Sequence, residues 1–230
     1  MSKRQFATAE PELMDRPDAS PAELGAALAN LRGLNRHFGS YDLVAQFLAR
    51  WLTPGQHARV LDLATGSADI PRLVADHARR VGATVDIVAV DFQPATIEEA
   101  RRLSASYPEI ECREANVLTF DEEKGFEIVI CSLALHHFSD ADAVRLLRRC
   151  RELSRRCVLV SDLRRGWLAR VGVYLLTALI YRDPMTRADG RVSAARAFTL
   201  AELRELATRA GWGEFGSASF PWARQAIWIE

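Results

Sequence analysis

The segment VLDLATGSADIP, residues 60–71, decides the fold. Its pattern predicts a β-strand, a tight turn that contains Gly66, and then the start of a helix. In such a turn, backbone amides and the positive end of the helix can approach a ligand closely. The segment therefore predicts a ligand-binding site between a strand and the helix that follows it.

The next predicted strand indicates which kind of ligand this is. TVDIVAVD (84–91) ends in Asp91, 25 positions beyond Gly66, where an acidic residue can accept both hydrogen bonds of a ribose diol. Gly66 is the only glycine of the turn, so the turn lacks the G-x-G-x-x-G pattern with which a dinucleotide fold meets a pyrophosphate, and no Walker-type lysine follows it. These features together predict a nucleoside site.

Strands and helices alternate along the middle of the chain. Besides 84–91, the predicted strands are 58–64, 109–115, 126–132 and 156–162, and the helices between them are 69–81, 94–106 and 140–154. Such alternation indicates a parallel sheet with helices on both faces and right-handed crossovers. A closing antiparallel hairpin in 213–230 completes our expectation of an α/β fold with a seven-stranded, mostly parallel sheet.

We expect residues 1–230 to form a single domain with four parts: a helical N-terminal lid (1–55), a cofactor-binding core (56–163), a helical insertion on the acceptor side (164–198), and a C-terminal helix with antiparallel strands (199–230). In the lid, Gly33 is predicted to break a helix that starts after Ser20.

The insertion contains the most hydrophobic part of the chain, WLARVGVYLLTALIY (167–181). This segment is shorter than the roughly 20 residues that a membrane span needs, and it contains Arg170. It is either a buried helix or an apolar wall, in contact with membrane or with a lipophilic substrate. The stretch that follows, up to 198, is predicted to be a polar loop.

The composition excludes several classes of protein. Lys and Arg total 30, as do Asp and Glu, so the formal net charge is zero and the chain lacks the basic surface of a nucleic-acid-binding protein. The four cysteines form no CxxC pair, which is typical of reduced, buried thiols, and we expect no metal site. Because the N-terminus has no apolar run of a signal peptide, we expect a cytoplasmic protein with a small-molecule partner and no membrane span. A homo-oligomer remains open.

Several motifs resemble those of class I S-adenosylmethionine-dependent methyltransferases. VLDLATGSADIP is similar to their first motif, hydrophobic-D-x-G/A-x-G-x-G, with Ala64 and Ala68 where the family usually has glycine. The segments VDIVAVDFQPATIEEAR (85–101), EANVLTF (114–120), FEIVICSLALHHFSD (126–140) and CVLVSD (157–162) resemble the later motifs in the same order. With Ala64 at this position, the first motif resembles that of the ubiquinone/menaquinone-biosynthesis methyltransferases.

The resemblance implies S-adenosylmethionine as the cofactor and assigns roles around it. Asp62 would lie near its cationic methionine end, and the amides of Thr65, Gly66 and Ser67 would meet its carboxylate. Asp91 would bind the ribose and Asn116 the adenine amino group. The full predicted set of cofactor-binding residues is Asp62, Ala64, Thr65, Gly66, Ser67, Asp91, Phe92, Gln93, Asn116, Val117, Ser132 and Leu133.

The resemblance also implies in-line methyl transfer to a small aromatic or lipophilic acceptor, at a phenolic oxygen. Carbon methylation of a quinone precursor is the nearest alternative, and a nicotinamide oxidoreductase or a non-catalytic cofactor-binding module are alternatives of other classes. A phenol has a pKa of about 10, so a base would help, and His136 and His137 are the candidates; a packed or solvated histidine pair is the other interpretation. The predicted substrate-binding residues are Arg36, Tyr41, Tyr174, Tyr181 and Arg187.

Overall fold

The computed structural model describes residues 4–6, 12–16, 20–122, 125–179 and 183–230. They form a seven-stranded sheet, as predicted, and the strand order is β3-β2-β1-β4-β5-β7-β6. The strands are β1 (His57–Leu63), β2 (Thr84–Asp91), β3 (Ile110–Glu114), β4 (Phe126–Ser132), β5 (Ser154–Leu163), β6 (Gly216–Phe220) and β7 (Arg224–Ile229). The first five run parallel, and β7 pairs antiparallel with both β5 and β6.

Helices cover both faces of the sheet. They are α1 (Pro21–His37), α2 (Ser40–Trp51), α3 (Asp69–Val81), α4 (Pro94–Leu103), α5 (Asp140–Leu153), α6 (Trp167–Leu179), α7 (Pro184–Arg196) and α8 (Leu200–Arg209), with short 3-10 helices at Leu13–Asp15 and Leu135–His137. Alternate residues of β1 explain the two layers: Val60 packs with α2 and α3, whereas Leu61 packs with α5 and α8.

The direction of the crossovers reverses at β1. The chain moves from β1 to β2 and β3 on one side, and then returns to place β4 and β5 on the other. A crevice forms at the carboxyl ends of the strands where such a reversal occurs, and ligands bind there in open α/β sheets. The fold therefore places the turn after β1 at the natural binding position.

Two local predictions are wrong. Helix α1 continues through Gly33 to His37, because its buried residues Leu24, Ala27 and Leu28 supply packing that offsets the cost of about 1 kcal/mol for a glycine inside a helix. The predicted polar loop after α6 contains helix α7 instead. Asp183 caps this helix by accepting a hydrogen bond from the Thr186 amide at 2.7 Å, and Pro184 occupies its first position.

The apolar segment of the insertion forms α6, and it is not a buried helix. Trp167, Val171, Tyr174 and Leu175 are each about half exposed or more, and the other side of the helix lines a cavity. Among the described helices, none is both long and apolar enough to cross a membrane. The four cysteines are free and buried, as predicted.

Candidate active site

A cavity of about 980 Å³ opens at the carboxyl ends of β1, β2 and β4. Its floor is the turn after β1 together with the residues that follow β2 and β4. Helices α1, α6 and α7 and the N-terminal segment Leu13–Asp15 form its walls. One continuous space therefore joins the predicted nucleoside site to the helices that the sequence assigned to the acceptor.

The turn after β1 has three residues in the left-handed backbone region. Ala64, Gly66 and Ala68 have φ angles of 57°, 55° and 56°. A Cβ atom added at Gly66 would meet no atom within 4 Å, so the backbone there faces open space in the cavity. Left-handed backbone costs an alanine roughly 1–2 kcal/mol and costs glycine little. The two alanines thus occupy positions that are suited to glycine.

We expect Ala64→Gly to raise the free energy of unfolding by about 0.5–1 kcal/mol. The substitution removes the strain of the left-handed alanine, and the greater freedom of glycine in the unfolded chain cancels part of the gain. Ala75→Gly, inside α3 and fully buried, is the matched control and should destabilise by about 1 kcal/mol or more. Urea unfolding measures both, and equal losses in the two variants would show that Ala64 is not strained.

Asp62 supports the turn from behind the cavity. Its carboxyl Oδ2 accepts a hydrogen bond from the Thr65 hydroxyl at 2.6 Å, and the side chain does not line the cavity. Burial raises the pKa of Asp62 to about 8. The structure therefore places Asp62 beneath the loop, away from the position beside a cationic ligand that the sequence suggested.

Asp91 lies at the end of β2 and does line the cavity. Its Oδ2 accepts a hydrogen bond from the Gly66 amide at 2.9 Å, and its Oδ1 accepts one from the Gln93 amide at 3.2 Å. Burial raises the pKa of this carboxyl, and the two amides oppose the rise. A carboxylate offers about four acceptor positions, so each oxygen retains capacity for a ligand hydroxyl.

Ten of the twelve predicted cofactor-binding residues line the cavity: Ala64, Thr65, Gly66, Ser67, Asp91, Phe92, Gln93, Val117, Ser132 and Leu133. Asp62 and Asn116 do not. Asn116 is exposed, and its Oδ1 accepts a hydrogen bond from the Leu118 amide at 2.9 Å, which closes a local turn. The spacing thus located the strand ends correctly, and it did not predict the local contacts of Asp62 and Asn116; the cofactor roles of the twelve residues stay predictions.

His136 follows β4 and lines the cavity beside a buried carboxylate. Its Nδ1 lies 2.6 Å from Asp162 Oδ1 at the end of β5, and both side chains are almost completely buried. A carboxylate on Nδ1 fixes the orientation of an imidazole and favours the tautomer with a free Nε2 lone pair. The His136–Asp162 pair is therefore arranged to accept a proton from a ligand.

His137 has a different environment. Its Nδ1 lies 2.8 Å from Asp15 Oδ2, and its Nε2 lies 3.9 Å from Glu12 Oε2. Burial disfavours the charged imidazole, but Glu12 and Asp15 outweigh burial and raise the pKa of His137 to about 9. At neutral pH His137 is a cation paired with the N-terminal segment, and it cannot accept a further proton.

The same residues contain a possible set of metal ligands, which the sequence did not predict. One ligand atom each from Glu12, His136 and His137 lies within 4.8 Å of the others. A divalent cation would need both imidazoles neutral. His137 is charged and paired with Glu12 and Asp15, which opposes metal binding. An ion pair is therefore the simpler explanation of why these side chains lie together.

The charge on His137 predicts a pH dependence of stability. Because its pKa is about 9 in the folded chain and about 6.5 when unfolded, its contribution is complete below pH 6.5 and is lost as the pH rises through 9. We expect a loss of about 3 kcal/mol over that interval, because each pKa unit corresponds to about 1.4 kcal/mol. His137→Gln should flatten this part of the profile in urea unfolding from pH 6 to 10, and an unchanged slope in the variant would assign the dependence to other groups.

The N-terminal segment is held over the cavity by side chains of three residues: Gln93, Asp189 and Ser193. The amides of Leu13 and Met14 donate to Asp189 of α7 at 2.7 and 3.0 Å, and Gln93 Nε2 donates to the Met14 carbonyl at 2.9 Å. Glu12 is buried and accepts from Ser193 at 2.8 Å. The predicted helical lid (1–55) includes this segment, which forms a short 3-10 helix at Leu13–Asp15.

Polar side chains of α1 and α2 contact Asp69, the first residue of α3 after the turn. Asn35 Nδ2 donates to Asp69 Oδ2 at 2.9 Å, and Tyr41 donates to the same oxygen at 2.9 Å. Asn35 Oδ1 and Arg32 Nη1 are buried without a hydrogen-bond partner among the described residues, and both residues line the cavity. One unpaired acceptor and one unpaired donor therefore face the region beside the turn.

Four of the five predicted substrate-binding residues do not line the cavity: Arg36, Tyr41, Tyr174 and Arg187. Arg36 is exposed, and the Tyr174 ring is stacked under Arg191. Tyr181 lies outside the described residues. Apolar side chains take their place, among them Leu28, Leu31, Phe38, Val173, Leu176 and Trp222. Those residue types resemble an ordinary core in sequence, and only the fold shows that they face a cavity.

Comparisons with known proteins agree with this geometry. Residues 60–156 match the family described as "Methyltransferase domain". Over 81 residues the chain is 38% identical to a 2-phytyl-1,4-naphtoquinone methyltransferase of Thermosynechococcus vestitus. The matched region covers 35% of each protein. It is 24% identical over 170 residues to an uncharacterized methyltransferase-like protein of Schizosaccharomyces pombe, covering 72% of this chain and 58% of that one.

The chain thus spans between about one third and three fifths of the length of these relatives. Among solved structures, it resembles the plantazolicin methyltransferase in complex with SAH, with a TM-score of 0.69 and 12% identity. That match covers 97% of this chain and 95% of the other, and it supports the fold.

Proposed function

We propose that this chain methylates a small lipophilic acceptor, because residues 60–156 match the methyltransferase domain family and the fold resembles that of the plantazolicin methyltransferase. The family match supports the predicted cofactor, S-adenosylmethionine. The observation that carries the proposal is the single cavity that joins the Gly66 turn and Asp91 to the His136–Asp162 pair and an apolar wall.

The residues of the turn fit the nucleoside half of the cofactor. Gly66 leaves open space where a side chain would stand, and the Asp91 carboxylate, already fixed by two amides, has acceptor capacity for two ribose hydroxyls. Phe92 lines the cavity and is 56% exposed, so it offers an apolar surface to adenine. These groups hold the nucleoside without a change in the turn.

The unpaired atoms of α1 fit the amino-acid half. The Arg32 guanidinium can pair with a carboxylate, and Asn35 Oδ1 can accept from an ammonium group. Burying either atom without a partner costs about 1–3 kcal/mol, which a bound zwitterion would recover. We therefore assign Arg32 and Asn35 of α1 to the cofactor, whereas Leu31 of the same helix belongs to the apolar wall.

Bound S-adenosylmethionine supplies an electrophilic methyl group on a sulfonium sulfur. The protein's part is to hold the acceptor in line, exclude water and remove a proton. Leu31, Phe38, Val173 and Leu176 provide an apolar wall for an aromatic or lipophilic acceptor. His136 Nε2 takes the proton of the acceptor hydroxyl, and Asp162 stabilises the imidazolium that forms.

Carbon methylation of a quinol is the second candidate, since one relative is named as a naphtoquinone methyltransferase. A quinol also carries a hydroxyl, so His136 would take its proton in the same way, and the ring carbon would then be the nucleophile. The hydrogen on that carbon would leave as a proton after methyl transfer, and the oxygen would regain a proton from the imidazolium. The same cavity serves both reactions, and only the product distinguishes them.

The experiment is to incubate the chain with S-adenosylmethionine and a panel of phenols and reduced naphthoquinones, and to analyse the products by mass spectrometry and NMR. We expect one methyl group added at oxygen. Methylation at carbon would support the second candidate, and cofactor binding without product from any acceptor would contradict both.

A further inference from the structure

One face of α6 carries most of the exposed large apolar side chains. Of the six such residues in the described part of the chain, four are on α6: Trp167 (73% exposed), Val171 (48%), Tyr174 (56%) and Leu175 (51%). Their spacing of three or four residues places them on one side of the helix. A row of this kind in water normally has a partner.

The other side of α6 faces the cavity. Ala169, Val173 and Leu176 line it, and Trp167 and Leu175 both line it and reach solvent, so they stand at its rim. Helix α6 is therefore apolar on both sides, whereas a surface helix usually turns a polar face to water. Whatever covers its outer face also lies beside the entrance to the cavity.

The charge around α6 indicates which partner this is. Residues 163–182 contain four arginines and no acidic residue, in a chain whose formal net charge is zero. Of the four, Arg165 is buried and paired with Glu202, and Arg182 lies outside the described residues. Arg164 and Arg170 are exposed, and Arg191 of α7 lies over the Tyr174 ring at 4.4 Å. Apolar side chains flanked by arginines fit the boundary between anionic headgroups and acyl chains.

A second copy of the chain fits this face less well. A twofold contact through α6 would bring the arginines of one copy against those of the other, with no acidic residue of 163–182 between them. With 13 residues, α6 is also too short to cross a bilayer, so a membrane contact must be a surface contact.

We propose that the outer face of α6 docks on an anionic lipid surface and places the entrance of the cavity at the bilayer. The docking follows only from the exposed apolar face of α6 and from the arginines beside it. The delivery of a lipophilic acceptor from the bilayer rests on the proposed function.

The test of docking is flotation of the full chain with vesicles of phosphatidylcholine, with and without phosphatidylserine. We expect binding to the anionic vesicles, weakened by salt. Val171→Glu should weaken binding at least tenfold, because removing a Val side chain from the acyl region lowers the affinity for the vesicles by about one order of magnitude. Arg170→Glu should weaken it by about tenfold or more, on anionic vesicles only.

Ala201→Glu is the matched control, because Ala201 is exposed on α8 and the substitution adds the same charge elsewhere. It should bind vesicles like the parent chain. Equal weakening by Ala201→Glu and Val171→Glu, or no binding to anionic vesicles, would overturn the proposal. A dimer in solution that Val171→Glu dissociates, without vesicle binding, would assign the face to a second copy and would also overturn it.

Delivery has a separate readout. Val171 does not line the cavity, so Val171→Glu should methylate a water-soluble acceptor at the parental rate and a vesicle-embedded acceptor at least tenfold more slowly. Equal loss on both acceptors would contradict delivery from the bilayer. Vesicle binding with no methyl transfer at all would leave docking supported and the proposed function contradicted.

Discussion

Asp91→Ala is expected to raise the Kd for S-adenosylmethionine by about 100-fold to 10,000-fold. Two hydrogen bonds from ribose hydroxyls to a carboxylate are worth about 1.5–3 kcal/mol each, and every 1.4 kcal/mol corresponds to a factor of ten. Asp91 also accepts from the Gly66 amide, so the variant loosens the turn that faces the cofactor. Isothermal titration calorimetry measures the effect without an acceptor.

Two further variants separate binding from folding in this experiment. Asp86→Ala removes an exposed carboxylate from the same strand, and we expect it to bind the cofactor like the parent chain. Asp91→Asn keeps the shape and one acceptor oxygen, and should fall between the two. If Asp91→Ala binds within threefold of the parent while its melting temperature is unchanged, the ribose role of Asp91 is wrong.

The core of the fold could be predicted from sequence because its signals are local. The apolar runs of β1 and β2 are buried on both faces, so they appear as continuous hydrophobic stretches, and the limits of β2 and α3 follow from Asp91, Asp69 and Gly82. Because these signals are local, the ends of the strands could be predicted as well. Ten of the twelve predicted cofactor residues therefore line the cavity.

The walls of the cavity could not be predicted, because they depend on contacts between distant segments. Glu12 and Asp15 meet His137 across more than 120 positions, and Asp162 meets His136 only because β4 and β5 are adjacent strands. No local pattern marks such pairs. The helix signal at Asp183 was present in the sequence, but the polar residues of α7 concealed it, since α7 buries Met185 and Ala194 within an otherwise mixed surface.

Replacing His136 by alanine is expected to lower kcat by about 100-fold to 1,000-fold while the Kd for S-adenosylmethionine stays within threefold. General base catalysis contributes about that much, and His136 is the histidine at the cavity whose Nδ1 is held by a buried carboxylate. Asp162→Asn should lower kcat by at least tenfold, because the amide no longer stabilises the imidazolium or fixes its tautomer.

The adjacent histidine is the control that makes this prediction specific. His137 is already protonated at neutral pH, with a pKa of about 9, so it cannot serve as the base. His137→Gln should change kcat less than tenfold and act mainly on KM, because it releases the segment that Glu12 and Asp15 hold over the cavity. Steady-state kinetics with a phenolic acceptor between pH 6 and 9 would measure both variants. A larger loss of kcat in His137→Gln than in His136→Ala would exchange the roles of the two residues and would contradict the assignment of the base to His136.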